Sequence, residues 1–218
     1  HQSVLSTEIN TIRSIANPID TQLYNVLPKL EARQKFNLPK NKKLILFGSV
    51  KVADERKGLK YMIDACNILT QQYPSLQQDL AIVIFGKNTD LLKDLFLYPV
   101  FCMNFISGTQ DMVALYNSAD VFVIPSLEDN LPNTIMEALA CGTPCVGFNA
   151  GGIPEMIDHK INGYVAKYKS AEDLATGIIW CLENCDNLSA EARKKALNHY
   201  SENIVAEQYI DLYNKLIN

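Results

Sequence analysis

Five short apolar runs constrain the fold of this chain more than any other feature. They lie at 44–47, 81–85, 104–106, 121–124 and 144–148. Strands without polar alternation are buried on both faces, and each of these runs is followed by a segment with helical spacing. Strands that alternate with helices predict an α/β fold built on a doubly wound parallel sheet.

Apolar stripes on one face predict helices at 58–72 and at 171–182. The first helix should end before Pro74, because the residue that precedes a proline avoids the helical region. The second should begin after Ser170, which has Asp173 three residues later in an approximate capping box.

The two ends of the chain differ in composition from the middle. Residues 1–40 contain three prolines and little helical pattern, which predicts a linker from an N-terminal domain into a sheet domain at 41–200. Two further amphipathic helices are predicted at 189–200, with Ser189 as its N-cap, and at 201–218.

Composition and charge exclude several functions. Twenty Lys and Arg against 24 Asp and Glu give a formal net charge of −4, and no dense basic run occurs, so a nucleic-acid partner is not expected. The apolar runs are too short to span a bilayer and no signal sequence is visible, so we expect a cytoplasmic protein. The six cysteines lack suitably spaced histidines, which favours reduced core thiols over metal ligands.

Residues after the first apolar run could form an anion site. Ligands of an open parallel sheet bind beyond the carboxyl ends of its strands. Gly48 allows close approach of the backbone there, and Arg56 and Lys57 stand at the predicted start of the next helix, whose dipole adds to their charge. The alternative is that both are solvated surface charges.

Glycines follow two other runs, in "IFG" at 84–86 and "ISGT" at 106–109. Gly86, Ile106 and Ser107 are therefore candidates to lie against a flat ring or a phosphate, since glycine leaves room at the backbone. Glycine after a strand is also ordinary in turns, so each signal is weak alone.

The segment 128–139 gives the strongest signal. Pro132 restricts the corner, and Asn133 or Thr134 can cap the helix that follows. Glu137, one turn into that helix, can accept two hydrogen bonds from a vicinal diol such as ribose, while Asp129 precedes the helix. Alternatively Asp129 forms a turn and Glu137 is a surface residue. Free amides between Asn130 and Thr134 could hold a phosphate or sugar hydroxyls. The candidate substrate-binding positions there are Asn130, Leu131, Pro132, Asn133 and Thr134, although Pro132 itself has no amide hydrogen to donate.

Motifs over nearly the whole chain resemble the C-terminal domain of a retaining, GT-B-fold glycosyltransferase of the glycosyl transferases group 1, or family 4. The resemblance implies a Rossmann-like doubly wound domain. The motifs are "NPID" at 17–20, "KGLKYMIDA" at 57–65, "YNSADVFVIPS" at 116–126, "MEALACGTPCVGFNAGGIPEMI" at 136–157 and "NGYVA" at 162–166.

The resemblance also implies roles for residues. Its signature of two glutamates separated by seven residues places the second member, which contacts ribose, at Glu137. The first, which contacts the transferred hexose, falls on Asp129 beside Glu128, and either carboxylate could serve. The family's diphosphate-binding Arg is replaced by Ser49, which leaves Arg56 as the candidate for the missing cation.

The implied reaction is transfer of a sugar from a nucleotide-diphosphate sugar of UDP, GDP or ADP type, with retention and without a metal or other cofactor. Lys57, Arg56 and the corner amides would stabilise the leaving diphosphate. The acceptor, a surface or extracellular glycan precursor, would bind an N-terminal domain of the same polypeptide. Peripheral membrane association would occur through that domain, and the final helix would cross towards it.

Two other functions remain open. A sugar-nucleotide epimerase of the same architecture would need a histidine poised for proton abstraction, and His159 and His199 lie outside the predicted cleft. A stand-alone nucleotide-binding module is the third possibility. The sequence does not identify the base, the sugar or the acceptor.

Overall fold

The computed structural model describes residues 14–217, and the side chains among them as far as residue 215. Their helices are α1 Lys29–Lys35, α2 Leu59–Gln72, α3 Thr109–Ser118, α4 Asn133–Ala140, α5 Ile153–Met156, α6 Ala171–His199 and α7 Glu202–Ile217. Their strands are β1 Lys43–Gly48, β2 Leu80–Phe85, β3 Val100–Met103, β4 Val121–Ile124, β5 Cys145–Phe148 and β6 Gly163–Ala166. Short 3₁₀ helices occur at Glu55–Lys57, Pro74–Gln78 and Thr89–Leu95.

The six strands form one parallel sheet in the order β3-β2-β1-β4-β5-β6. The strand order reverses between β1 and β4, where Ile45 pairs with Ile82 on one side and with Val121 on the other. This is the strand order of a Rossmann-like fold, and the reversal is its topological switch point. The predicted fold class is confirmed.

Burial of the central strands on both faces explains their composition. Every residue of β2 and β4 is buried. On β1, Ile45 packs with α2 and α6 on one face, whereas Leu44 and Leu46 pack with α3 and α4 on the other. Two helical layers therefore cover the sheet, as strands without polar residues require.

Both predicted helix boundaries are confirmed. Helix α2 ends at Gln72, and Pro74 opens a 3₁₀ helix. At the start of α6, the Ser170 hydroxyl accepts a hydrogen bond of 3.1 Å from the Asp173 amide.

The predicted strand at 104–106 is wrong. The third strand is β3, four residues earlier, and Asn104 and Phe105 are exposed. The prediction centred on a segment whose polar residue and exposed ring do not fit a buried strand. The edge strand β6 was not predicted as a strand, because it is only four residues long and begins with Gly163.

The predicted separate helix at 189–200 is also wrong, and Ser189 is not an N-cap. Helix α6 runs without interruption from Ala171 to His199. No proline or glycine occurs between 183 and 199, and Cys185, Leu188 and Ala192 continue its buried stripe. Nothing in this segment ends the helix.

Segments outside 41–200 pack on the sheet domain. Helix α1 contacts α3, and Arg33 in α1 is buried, with 4% of its surface exposed. Ile19 forms a bridge with Ser201. The predicted origin of residues 1–40 as an interdomain linker stays a prediction, and residues 1–13 lie outside the described part.

Helix α7 follows α6 and leaves aromatic side chains exposed. Val205 is buried, whereas Tyr209 and Tyr213 are 42% and 57% exposed. Its predicted direction, towards another domain, stays a prediction. Within 14–217, none of the helices combines the length and apolarity needed to cross a bilayer.

Candidate functional site

A cleft of about 680 Å³ opens at the carboxyl ends of β1, β2 and β4. It therefore lies at the switch point, where open α/β sheets bind their ligands. Of the fifteen predicted site residues, twelve line it: Gly48, Ser49, Arg56, Lys57, Gly86, Ile106, Asp129, Leu131, Pro132, Asn133, Thr134 and Glu137. The lining does not include Ser107, Glu128 and Asn130, all of which are exposed.

Two glycines let the loops after β1 and β2 meet at the base of the cleft. A Cβ atom on Gly48 would lie 2.2 Å from the carbonyl oxygen of Phe85. A Cβ atom on Gly86, whose φ is +133°, would lie 2.1 Å from that of Ser49. Glycine fits both positions because it has no side chain and accepts this φ. The cleft is therefore bounded by closely packed backbone on this side.

Arg56 lies at the rim of the cleft in the 3₁₀ helix Glu55–Lys57, one turn before α2. The prediction that it stands at the start of α2 is therefore corrected. Its side chain is 64% exposed, and its Nη2 lies 2.8 Å from Asp54 Oδ2. The hydrogen bonds from Arg56 lower the pKa of Asp54 to about 2. Asp54 thus competes for this guanidinium with any incoming anion.

Lys57 is deeper in the cleft than Arg56. Its Nζ lies 2.7 Å from Asp129 Oδ2, and the two side chains are 29% and 18% exposed. The ion pair joins the turn before α2 to the loop after β4. The predicted phosphate cation and the predicted sugar-binding carboxylate therefore touch each other.

Backbone contacts fix the turn that carries these cations. The Leu127 amide donates to the Arg56 carbonyl at 2.7 Å. Gly58 has a φ of +72°, and a Cβ atom there would lie 1.9 Å from the Pro125 carbonyl oxygen. The turn and the loop after β4 therefore form one packed unit.

Helix α4 begins at the corner without a side-chain cap. Pro132 occupies the N-cap position, so the predicted capping by Asn133 or Thr134 is wrong. Asn133 Oδ1 instead accepts from Asn17 Nδ2 at 3.3 Å. The amides of a first helical turn have no acceptor within their helix, and both Asn133 and Thr134 line the cleft.

A glycine pair after β5 supports the loop that carries Asp129. The Gly152 amide donates to the Asp129 carbonyl at 3.0 Å. Cβ atoms on Gly151 and Gly152 would lie 1.9 Å from the Asp129 oxygen and 1.6 Å from the Asn130 oxygen. The two consecutive glycines in "NAGG" could have indicated this close backbone contact. The sequence analysis used them only as part of a family motif and did not predict it.

Glu137 projects from α4 into the cleft with one tyrosine bonded to it. The Tyr116 hydroxyl donates to Glu137 Oε2 at 2.8 Å. Burial raises the pKa of Glu137, while hydrogen bonds from Tyr116 and Tyr24 act in the opposite direction. Neither tyrosine was predicted as a site residue.

The mouth of the cleft contains a cation and an aromatic ring that were also not predicted. Lys51 is exposed there, and Phe105 is 54% exposed. No histidine is among the residues that line the cleft. His159 lies beside β6, where its Nδ1 accepts a hydrogen bond from the Val165 amide. Within the described part of the chain, no group of three or more His, Cys, Asp or Glu could hold a metal ion.

The fold and the cleft define a doubly wound α/β domain with an open cleft at its switch point. The family model of glycosyl transferases group 1 matches residues 29–199, and the chain belongs to this family. The predicted resemblance to the C-terminal half of a GT-B glycosyltransferase is confirmed for family and fold.

Individual relatives agree with this assignment. An uncharacterized glycosyltransferase of Haemophilus influenzae is 30% identical over 204 residues, which cover 91% of this chain and 54% of that protein. The N,N'-diacetylbacillosaminyl-diphospho-undecaprenol alpha-1,3-N-acetylgalactosaminyltransferase of Campylobacter jejuni is 36% identical over 118 residues, which cover 53% of this chain and 31% of that protein.

Among solved structures, HepE of Anabaena in complex with UDP superposes with a TM-score of 0.77 at 22% identity. The match covers 93% of this chain and 57% of that one. The chain spans about half the length of the curated relatives that it matches over most of its own residues.

Proposed function

We propose that this chain binds the donor, a nucleotide-diphosphate sugar, for an enzyme that transfers the sugar to an acceptor with retention of anomeric configuration. The acceptor is a surface or extracellular glycan precursor, bound by an N-terminal domain of the same polypeptide. The enzyme acts in the cytoplasm, and its membrane contact is peripheral. The proposal includes no metal or other cofactor.

The observation that carries the proposal is the presence of Lys57 and Glu137 in one cleft at the switch point. An ammonium group beside helix amides suits a diphosphate, and a carboxylate that can accept two hydrogen bonds suits a ribose diol. A nucleotide-diphosphate sugar contains both groups next to each other. The two side chains therefore select the two halves of one ligand.

Each group has a part in the reaction. Negative charge develops on the diphosphate as the sugar leaves, and Lys57 and the first-turn amides of α4 stabilise it. Arg56, at the rim of the cleft, also stabilises this charge when the diphosphate displaces Asp54 from its guanidinium. Asp129 is released from Lys57 by the incoming phosphate and turns to the transferred sugar. The acceptor hydroxyl attacks the face from which the diphosphate departs and gives its proton to the departing phosphate oxygen, so the new glycosidic bond has the configuration of the bond that breaks.

The relatives support the donor and acceptor classes. The solved HepE structure contains UDP, which favours a uridine nucleotide in this cleft. The Campylobacter relative is named for transfer to a diphospho-undecaprenol-linked sugar, which favours a glycan precursor as acceptor. Both inferences concern the whole enzyme.

Titration calorimetry with UDP-, GDP- and ADP-glucose tests the proposal. We expect one nucleotide to bind measurably and Lys57→Ala to weaken it, because the charge-assisted contact with the phosphate is lost. Binding of none of the three, or unchanged binding by both Lys57→Ala and Glu137→Gln, would contradict the proposal.

A further inference from the structure

Glu137 lies beside phenols from two separate parts of the chain. Tyr116 comes from α3, and its hydroxyl donates to Glu137 Oε2 at 2.8 Å. Tyr24 comes from the segment before α1, and its phenol lies close enough to Glu137 to act on the pKa of the carboxylate. Glu137 itself lines the cleft. We propose that Tyr116, with Tyr24 beside it, positions the Glu137 carboxylate to receive the ribose of the nucleotide.

The ring of Tyr116 cannot easily move. It is fully buried, and its ring meets that of Phe122 edge to face, with centroids 5.6 Å apart. The Tyr116 carbonyl accepts from the Thr143 hydroxyl at 2.8 Å. A donor fixed in this way holds the carboxylate in one orientation, because a hydrogen bond weakens steeply away from its preferred angle.

Tyr24 is fixed by a different element. Its carbonyl accepts from Arg193 Nη1 of α6 at 2.6 Å, and its amide donates to the Asp20 carbonyl at 2.9 Å. The segment that contains Tyr24 is thereby attached to the layer of helices beside the cleft. The segment before α1 therefore places the Tyr24 side chain beside Glu137.

The phenols leave room for a ligand on the same carboxylate. An ionised carboxylate has about four acceptor sites, so it can accept from Tyr116 and from two ribose hydroxyls at the same time. The phenols also favour the ionised form, which burial disfavours. The Glu137 carboxylate also acts on the thiol of Cys141 at the end of α4. The pKa of this thiol is raised to about 12 by burial, so it stays neutral at physiological pH.

Calorimetric titration of the chain with UDP, from mildly acidic to neutral pH, tests the inference, which rests on the proposed function. We expect Tyr116→Phe to lower the affinity for UDP about fivefold at neutral pH, which is the effect of losing one net hydrogen bond. The loss should grow as the pH falls, because Glu137 then takes up its proton at a higher pH than in the parent. Protonation of UDP is common to both proteins and cancels in the comparison.

Tyr164→Phe is the matched control. The Tyr164 hydroxyl also bonds to a carboxylate, Asp173 Oδ1 at 3.0 Å, but Tyr164 does not line the cleft. We expect this variant to bind UDP as the parent does at every pH. Tyr24→Phe should show the same pH-dependent loss of UDP affinity as Tyr116→Phe. If Tyr116→Phe does not fold, the inference is tested on Tyr24→Phe alone.

Three outcomes separate the inference from the proposed function. Parent-like UDP affinity in both Tyr116→Phe and Tyr24→Phe, together with a loss in Glu137→Gln, would overturn the inference alone. A loss that is equal at every pH would also overturn it, because a general structural defect has that signature. Unchanged affinity in Glu137→Gln would overturn the ribose assignment itself and the inference with it.

Discussion

The ammonium of Lys57 lies 2.7 Å from the carboxylate of Asp129, so the cation at the centre of the cleft has its own counter-ion. Neither side chain is fully exposed, and the two come from loops after different strands. In the proposed donor complex, the diphosphate replaces Asp129 as the partner of Lys57. The proposal therefore couples binding of the donor to release of the Asp129 carboxylate.

Lys57→Ala should lower the affinity for UDP about tenfold or more, while the affinity for uridine changes less than about twofold. The lost contact is a charge-assisted hydrogen bond to phosphate, and the unpaired Asp129 then repels the diphosphate. Calorimetric titration with both ligands measures the difference. Lys60→Ala is the control, because Lys60 is 78% exposed and pairs with Asp64 on α2. Equal losses for UDP and uridine would remove Lys57 from the phosphate site.

Gly152→Ala should reduce binding of a UDP-sugar while the protein remains folded. The new Cβ atom would lie 1.6 Å from the Asn130 carbonyl oxygen, so the loop that carries Asp129 must move. Overpacking of this kind costs about 1 to 3 kcal/mol of unfolding free energy.

Gly108→Ala provides the comparison for Gly152→Ala. The nearest atom to a Cβ at Gly108 is Asp111 Oδ2 at 3.2 Å, the end of a side chain that can rotate away. Donor affinity by calorimetry should fall only in Gly152→Ala. Retained affinity there would mean that the position of the Asp129 loop does not matter for the donor.

Glu137→Gln should stabilise the ligand-free protein at neutral pH. Burial raises the pKa of Glu137 above 4.5, so its ionisation is less favourable in the folded state than in the unfolded state. The stability that this group contributes is present at pH values below 4.5 and is lost as the pH rises through its folded pKa. A neutral amide at this position does not ionise, so at neutral pH the variant should have a free energy of unfolding about 0.5 to 2 kcal/mol higher than the parent.

Urea unfolding of the parent and Glu137→Gln at several pH values measures this effect. The difference in unfolding free energy should be largest near neutral pH and close to zero in acid. Glu183→Gln, on the exposed face of α6, is the control for the same change of residue type outside the cleft. A destabilised Glu137→Gln at neutral pH would contradict the prediction.

The sequence predicted the sheet and most of the lining, because both follow from local patterns. Buried strands read as apolar runs, and residues such as Lys57 and Asp129 lie in the segments that connect a strand to the next helix. Tyr116 and Tyr24 could not be found in this way. Tyr116 lies on an ordinary helix, and its meeting with Glu137 depends on the packing of α3 against α4.

The errors also have physical causes. The single helix from Ala171 to His199 was predicted as two helices, because Ser189 is a good N-cap residue. A serine acts as an N-cap only where the preceding backbone is not helical, and here the helix continues through Ser189. Arg33 lies in the segment 1–40, which was predicted as a linker from its three prolines and weak helical pattern. Its burial was not predicted, because charged residues are rarely buried unless paired. Its partner, Asp120, is 87 residues away in the sequence.

Arg33→Ala should lower the free energy of unfolding by about 3 to 5 kcal/mol, the usual cost of removing one partner of a buried ion pair. Arg33 Nη2 lies 2.7 Å from Asp120 Oδ2, and both side chains are at most 5% exposed. Asp120 Oδ2 also accepts from the Leu44 amide at 2.6 Å, so the pair fixes α1 to the start of β1. Lys29 contacts the same carboxylate at 2.8 Å but is 41% exposed, and Lys29→Ala should cost less than about 1 kcal/mol. Urea unfolding of both variants tests whether α1 is part of the cooperative domain. Equal, small losses would mean that the segment before residue 41 contributes nothing to its stability.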